Sequence, residues 1–96
     1  MTVRVFKLVT GEQLISKTTD TSEGYKLDKP AEIQLQQTDK GVGVGIAPYM
    51  PYASGDVLLH RTAIVSEGLP EVHMENEYSR VFGSGIQLTT VNSLTR

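Results

Sequence analysis

Hydrophobic and polar residues alternate along most of the chain, and this period of two predicts β-strands. A first hairpin is predicted from residues 3–8 and 13–18, with Gly11 in its turn because glycine adopts positive φ without strain. Further short strands are predicted over residues 25–28, 31–36, 42–47, 57–59 and 63–65. Segments rich in polar and turn-forming residues separate most of them, so the chain is predicted to be mainly β.

Two places interrupt or modify the alternation. Pro30 breaks it, and because a proline cannot donate a hydrogen bond to a neighbouring strand, it marks an edge, a bulge or a sharp bend. In residues 42–47, β-branched side chains alternate with Gly43, Gly45 and Ala47. One side of this strand therefore has almost no side chains, which suits tight curvature or the close approach of another backbone.

One helix is predicted, over residues 70–82, with Pro70 at its first position and Gly83 as its C-terminal cap. Its apolar side chains fall on one stripe: Met74, Tyr78, Val81 and Phe82. Residues 84–96 form a C-terminal tail. For this tail, a docked strand carrying its aliphatic residues and a frayed end are both open interpretations.

The spacing of the strands favours a small antiparallel barrel or sandwich. The chain has 96 residues, of which 39% are hydrophobic and 21% charged, so it is long enough for one globular domain. We assign that domain to residues 1–83. Because so short a chain is thin for two packed sheets, closure into a small barrel is expected.

Composition excludes several kinds of chemistry. The chain has no cysteine, which rules out disulfides, thiolate zinc sites, iron–sulfur clusters and a cysteine nucleophile. No stretch approaches the roughly 18 apolar residues of a membrane span, and the first residues lack the pattern of a signal peptide. We therefore expect a cytoplasmic protein that does not contact a membrane.

Two stretches carry a resemblance to a known family. Residues 6–15, with the sequence FKLVTGEQLI, resemble the first hairpin of the Sm-like (LSm) family. The last two strands of that family and their short turn are similar to residues 58–65, LLHRTAIV. Residues 8–12, LVTGE, followed by Tyr25-Lys26-Leu27 and Pro30, also resemble a group of small uncharacterised proteins of marine tailed phages. Together these matches span most of residues 3–68.

The resemblance implies a strongly bent five-stranded antiparallel Sm-like barrel, here with one helix on its C-terminal side. It also implies a homo-oligomeric ring, in which the subunits join edge to edge through their strands, and a place in the cytoplasm of a bacterial or phage-infected cell. Single-stranded RNA is the ligand that the family suggests. The alternative is a structural or protein-interaction module without a nucleic-acid role.

The sequence departs from the RNA-binding members of that family in three respects. Their Asp/Asn pair between the second and third strands is replaced by Asp20 and Asp28 at a different spacing, without an Asn. Their Arg-Gly or Lys-His pair between the last strands corresponds to His60-Arg61, without the glycine. The usual N-terminal helix is absent. The net charge of −2 also requires any RNA site to gather basic residues on one surface.

Two segments are candidate binding sites. Arg61 would contact phosphate, and His60 would stack on a base or donate a hydrogen bond to it. The plainer interpretation, which we favour, is a polar turn between two apolar strands. The longest irregular segment contains Tyr49, Met50 and Tyr52. These residues could form a platform for stacking bases, a subunit contact or a cover over the end of the barrel. Of these three interpretations we favour contact or cover.

Other patterns suggest chemistry only superficially. The glycines of residues 41–45 lack the Lys-Ser/Thr of a phosphate-binding loop, so they are interpreted as structural. His73 and Glu77 have helical metal-ligand spacing, but two ligands do not form a site, and an exposed pair is the favoured interpretation. Without a nucleophile elbow and with two histidines, the sequence predicts no enzyme, no metal and no cofactor.

Overall fold

The computed structural model describes residues 1–83, and these residues form six strands followed by one short helix. The strands are β1 (Thr2–Leu8), β2 (Gln13–Asp20), β3 (Gly24–Thr38), β4 (Gly41–Pro48), β5 (Val57–His60) and β6 (Ile64–Gly68). A 3-10 turn at Arg61–Ala63 links β5 to β6. The helix α1 spans Val72–Tyr78 and continues into a π-helical turn at Ser79–Gly83. The tail predicted for residues 84–96 lies outside the described residues.

All neighbouring strands are antiparallel, in the order β4-β3-β2-β1-β6. The long strand β3 changes partner along its length: residues 24–27 pair with β5, and residues 31–38 pair with β4. The change occurs at Lys29-Pro30, where the pairing with β2 also shifts register. Pro30 therefore marks a bulge within one strand, which is one of the three roles predicted for it.

The prediction of a mainly β, antiparallel chain with one C-terminal helix is confirmed. The predicted closure is not found, because no ladder of hydrogen bonds joins β6 to β4 or β5 within residues 1–83. The 3-10 turn explains this difference, since it redirects the chain from β5, which pairs with β3, to β6, which pairs with β1. The sheet is a bent, open sheet and not a closed barrel.

Side chains on both faces of the sheet are buried. The first core cluster consists of Phe6, Leu8, Leu14, Tyr25, Leu27 and Leu59. The second core cluster consists of Ile15, Ala31 and Tyr78. Leu14 and Ile15 are adjacent in β2 and point to opposite faces, as strand geometry requires. Bending of the sheet encloses the first cluster, and the helical segment covers the second.

The helix begins at Val72, two residues after Pro70, its predicted first position. The Glu71 carboxylate accepts a hydrogen bond from the N–H of Met74 at 3.0 Å and caps the N-terminus, so Pro70 precedes the cap. Tyr78 is fully buried, and Met74 and Phe82 pack beside it. Val81, the fourth member of the predicted stripe, is 46% exposed because it lies in the π-helical turn, where α-helical spacing no longer holds.

Candidate functional site

His60 and Arg61 lie where β5 enters the 3-10 turn, and both side chains are exposed. The N–H of Arg61 donates to the carbonyl oxygen of Glu23 at 2.8 Å. Its guanidinium also donates to the carbonyl oxygen of Thr21 at 3.5 Å. These bonds attach the turn to the loop between β2 and β3, so the two segments form one corner of the molecule.

Gly24 makes this corner possible. A Cβ atom at Gly24 would lie 2.0 Å from the carbonyl oxygen of Leu59 and 2.9 Å from the backbone nitrogen of Arg61. Both of these neighbours are backbone atoms, which cannot rotate away from a clash as a flexible side chain can. A residue without a side chain is therefore needed where β3 begins against β5.

Arg61 shares an aromatic ring with a second arginine. The guanidinium carbon of Arg61 is 5.6 Å from the centre of the Tyr25 ring, and that of Arg4 is 5.3 Å from the same centre. Tyr25 donates its hydroxyl hydrogen to the Glu67 carboxylate, which also lies 4.0 Å from Nη1 of Arg4. We call Arg4, Tyr25, Arg61 and Glu67 the arginine–tyrosine cluster. The sequence pointed to Arg61 as a candidate site residue, but it gave no indication of Tyr25 and Glu67 as its neighbours.

The electrostatics of this cluster follow from two cations, one anion and one phenol. The hydrogen bond to Glu67 raises the pKa of Tyr25, and burial of the phenol acts in the same direction, so Tyr25 stays neutral. Nε of Arg4 is buried and has no hydrogen-bond partner among the described residues. The cluster can therefore hold an anion or stack against a planar group, and Arg61 is its exposed cation.

The three candidate residues of the irregular segment lie in different environments. Tyr49 is half-buried and packs against the first core cluster. Met50 is 50% exposed, and Tyr52 is 99% exposed. The structure therefore places Tyr49 as part of the packing over the sheet and Tyr52 in solvent, and it does not bring the two rings together as one flat surface.

A groove of about 520 Å³ runs between the bulge of β3, the segment 49–56 and the π-helical turn. We call it the Phe82 groove. Its walls include Lys29, Tyr49, Met50 and Phe82. Lys29 (φ 54°) and Met50 (φ 56°) are the non-glycine residues with positive φ in residues 1–83, and both lie on this groove. Such backbone strain costs about 1–3 kcal/mol per residue and is concentrated at binding sites.

The hairpin of β3 and β4 extends the second face of the sheet beyond the core. Ile33 and Ile46 are opposite each other and pack beside the second core cluster. The same face continues outward with Leu35, Val44 and Val42, which are 70%, 51% and 66% exposed. We call Leu35, Val42 and Val44 the apolar strip. It is a continuous apolar extension of the core that no described residue covers.

The two residues of the metal-ligand spacing, His73 and Glu77, differ in their surroundings. His73 is exposed, whereas the Glu77 carboxylate pairs with Arg80 at 2.6 Å. The hydrogen bond from Arg80 lowers the pKa of Glu77, which is therefore ionised and engaged. Within residues 1–83, no group of three or more histidine, aspartate or glutamate side chains is arranged to hold a metal ion.

Comparison with models of known protein families gives no match, and comparison with curated protein sequences gives none either. No helix in the described part of the chain is long and apolar enough to cross a membrane. The function therefore has to be argued from the geometry of the apolar strip, the arginine–tyrosine cluster and the Phe82 groove.

Proposed function

We propose that this protein is a self-assembling Sm-like module whose copies join head to tail into a ring through β4 and β6. The observation that carries the proposal is the outer edge of β4, which no strand among residues 1–83 pairs with. Its residues, GVGVGIAP, contain no charged side chain, and its pairing with β3 is regular from Gly41 to Pro48. Natural edge strands are usually blunted by lysines, bulges or internal prolines, and this strand has none of these before its last residue.

The apolar strip supports the same proposal. It lies on the hairpin that carries the open edge, so a strand added to β4 would bring its own side chains beside Val42 and Val44. At the other end of the strand order, β6 likewise has an edge that none of the described strands pairs with. Val65 in β6 and Leu69 after it are 61% and 69% exposed. Pairing of β4 with β6 of the next copy would bring apolar surface together.

Head-to-tail geometry favours a ring. The two open edges belong to different strands at opposite ends of the order β4-β3-β2-β1-β6, so each copy offers one edge to each neighbour. A contact of this kind is heterologous, and it closes into a ring when the rotation between copies divides a full turn. The bend of the sheet at Lys29-Pro30 supports such a rotation.

The test is the molar mass in solution, measured by size-exclusion chromatography with light scattering. We expect a mass of several 10.5 kDa subunits for the unchanged protein. Val44→Lys places a charge on the apolar strip beside the open edge and should give a monomer. Ser54→Lys adds the same charge in the exposed segment 49–56 and should leave the assembly intact. A monomeric unchanged protein at high concentration would overturn the proposal.

Single-stranded RNA binding is the second candidate function, and the arginine–tyrosine cluster favours it. Arg61 is exposed beside His60, and Arg4 adds a second guanidinium on the same ring. A planar guanidinium can bind phosphate through two hydrogen bonds or stack on a base. The net charge of −2 per subunit opposes nonspecific binding, so the contact would have to be local.

Titration of a fluorescent oligouridylate tests this second function. Binding through several phosphates should weaken steeply as salt is added. Arg61→Ala should reduce the affinity, whereas Arg80→Ala, which removes an exposed arginine paired with Glu77, should not. Unchanged affinity in Arg61→Ala would reject the role of this corner. An assembly that binds no RNA at low salt would favour a structural or protein-interaction module.

A further inference from the structure

The Phe82 groove lies where the described part of the chain ends. Val81 and Phe82 line it, and residues 84–96 follow directly after Gly83. We propose that the Phe82 groove is the binding site for the C-terminal segment of the same chain, residues 84–96. This inference is independent of self-assembly, because the groove and the apolar strip are lined by different residues.

The chemistry of the segment matches the groove. Its sequence, SGIQLTTVNSLTR, has four large aliphatic residues and no acidic residue. The aliphatic residues are Ile86, Leu88, Val91 and Leu94. The walls of the groove include the apolar residues Pro30, Met50 and Phe82, and its charged residues, Asp28, Asp56 and Lys29, carry two negative charges and one positive charge. An apolar segment without acidic side chains fills such a groove without adding a charge that these carboxylates would repel.

Chain connectivity makes the contact local. Ile86 follows Phe82, which is itself a wall residue, by four positions. Since an extended chain advances about 3.3 Å per residue, the linker reaches roughly 13 Å, and few residues have to be ordered to bring Ile86 back. A separate peptide would have to lose translational freedom in order to bind at the same place.

The residues with a strained backbone conformation lie on the walls of the groove, where the C-terminal segment would bind. Lys29 and Met50 both adopt positive φ, and they come from two different segments that line the groove. Residues in such conformations persist when surrounding contacts hold them, and they cluster where a segment or ligand is clamped. Met50 and Val81 are half-exposed in the described residues, so each offers apolar surface for the segment to cover.

Methionine methyl NMR of the full-length chain tests the proposal. The chain has three methionines, and of these Met50 lines the groove, whereas Met1 and Met74 do not. We expect nuclear Overhauser effects between the methyl groups of Met50 and Ile86. Ile86→Asp and Leu88→Asp should each shift the Met50 resonance and leave the Met74 resonance in place. Gln87→Asp, with the same charge at a polar position of the segment, should shift neither.

Two results would overturn the inference. The first is a Met50 resonance that is unchanged in both Ile86→Asp and Leu88→Asp. The second is an Overhauser effect that appears only between differently labelled chains in a mixed sample, because the occupant would then be a second copy. The molar mass of each sample, measured in parallel, separates a failure of this inference from a failure of self-assembly.

Discussion

The hydroxyl group of Tyr78 donates a hydrogen bond to the carbonyl oxygen of Lys29 at 2.8 Å. The hydroxyl oxygen of Tyr78 in turn accepts a hydrogen bond from the N–H of Lys17 at 3.2 Å. Both backbone groups lie beside the bulge, where the pairing of β2 with β3 shifts register. A bulge disturbs the ladder locally, so a buried side chain that supplies partners there stabilises the bulge and attaches the helix to the sheet.

Tyr78→Phe tests this attachment because it removes the hydroxyl group and keeps the buried ring. We expect the free energy of unfolding to fall by about 1–3 kcal/mol, the cost of leaving buried polar groups without a partner. Urea denaturation at fixed protein concentration measures the change. Tyr52→Phe, at a side chain that is 99% exposed, is the matched control and should change nothing. Equal stability of the two variants would contradict the role of the hydroxyl.

The helix shows which part of the fold the sequence could predict. Met74, Tyr78 and Phe82 recur every four residues, and all three face the sheet as that spacing predicts. The hydrogen bonds of Tyr78 could not be predicted, because its partners Lys17 and Lys29 are 61 and 49 residues away in sequence. The prediction that Val81 belongs to the buried stripe was wrong, because it assumes that α-helical spacing continues to residue 82.

At the candidate site, too, a local feature could be predicted from the sequence, whereas a contact between distant segments could not. A polar turn at His60-Arg61 could be predicted because apolar stretches flank it. The approach of Arg61 to Arg4 on the Tyr25 ring could not, since it depends on how β1, β3 and the turn meet in space. One signal was present in the sequence: Arg4 is a charged residue within the otherwise largely apolar residues 3–8.

Alkaline pH should destabilise the protein through two tyrosines. Burial raises the pKa of Tyr78, and the hydrogen bond to Glu67 followed by burial raises the pKa of Tyr25. The unfolded chain releases these protons at about pH 10, before the folded protein does. The unfolded state then binds fewer protons, so the free energy of unfolding should fall as pH rises above about 10 and be unaffected by these two groups below it.

Denaturant unfolding at a series of alkaline pH values measures this loss. Tyrosinate absorbance of the folded protein, followed over the same range, reports the ionisation directly. Tyr78→Phe should make the decline shallower and remove absorbance from the high-pH end of the titration. If the free energy of unfolding of Tyr78→Phe fell with rising pH as steeply as that of the unchanged protein, the buried phenol would not be the cause.

Gly24→Ala should loosen the corner that holds the 3-10 turn. Its Cβ atom would lie 2.0 Å from the carbonyl oxygen of Leu59, so β5 must move away from β3. Overpacking of this kind typically costs about 1–3 kcal/mol, and we expect a loss of that size in urea denaturation. Amide hydrogen exchange should accelerate at Arg61, whose N–H bonds to Glu23 across this corner.

Gly68→Ala is the matched control for this substitution. Gly68 also lies in a strand, but a Cβ atom there would meet no heavy atom within 4 Å. We expect unchanged exchange at Arg61 and little change in stability. Similar losses in the two variants would show that the general preference for glycine, and not the approach of Leu59, determines the effect.

Lys29→Gly should stabilise the protein, which is the opposite of the usual effect of glycine in a strand. Lys29 is exposed and has φ of 54°, a conformation that costs an ordinary residue about 1–2 kcal/mol. Glycine removes that strain but loses roughly 0.5–1 kcal/mol of chain entropy, so the net gain should be at most about 1.5 kcal/mol. Lys26→Gly, at an exposed position of the same strand without positive φ, should destabilise instead. Losses in both variants would mean that no backbone strain is stored at Lys29.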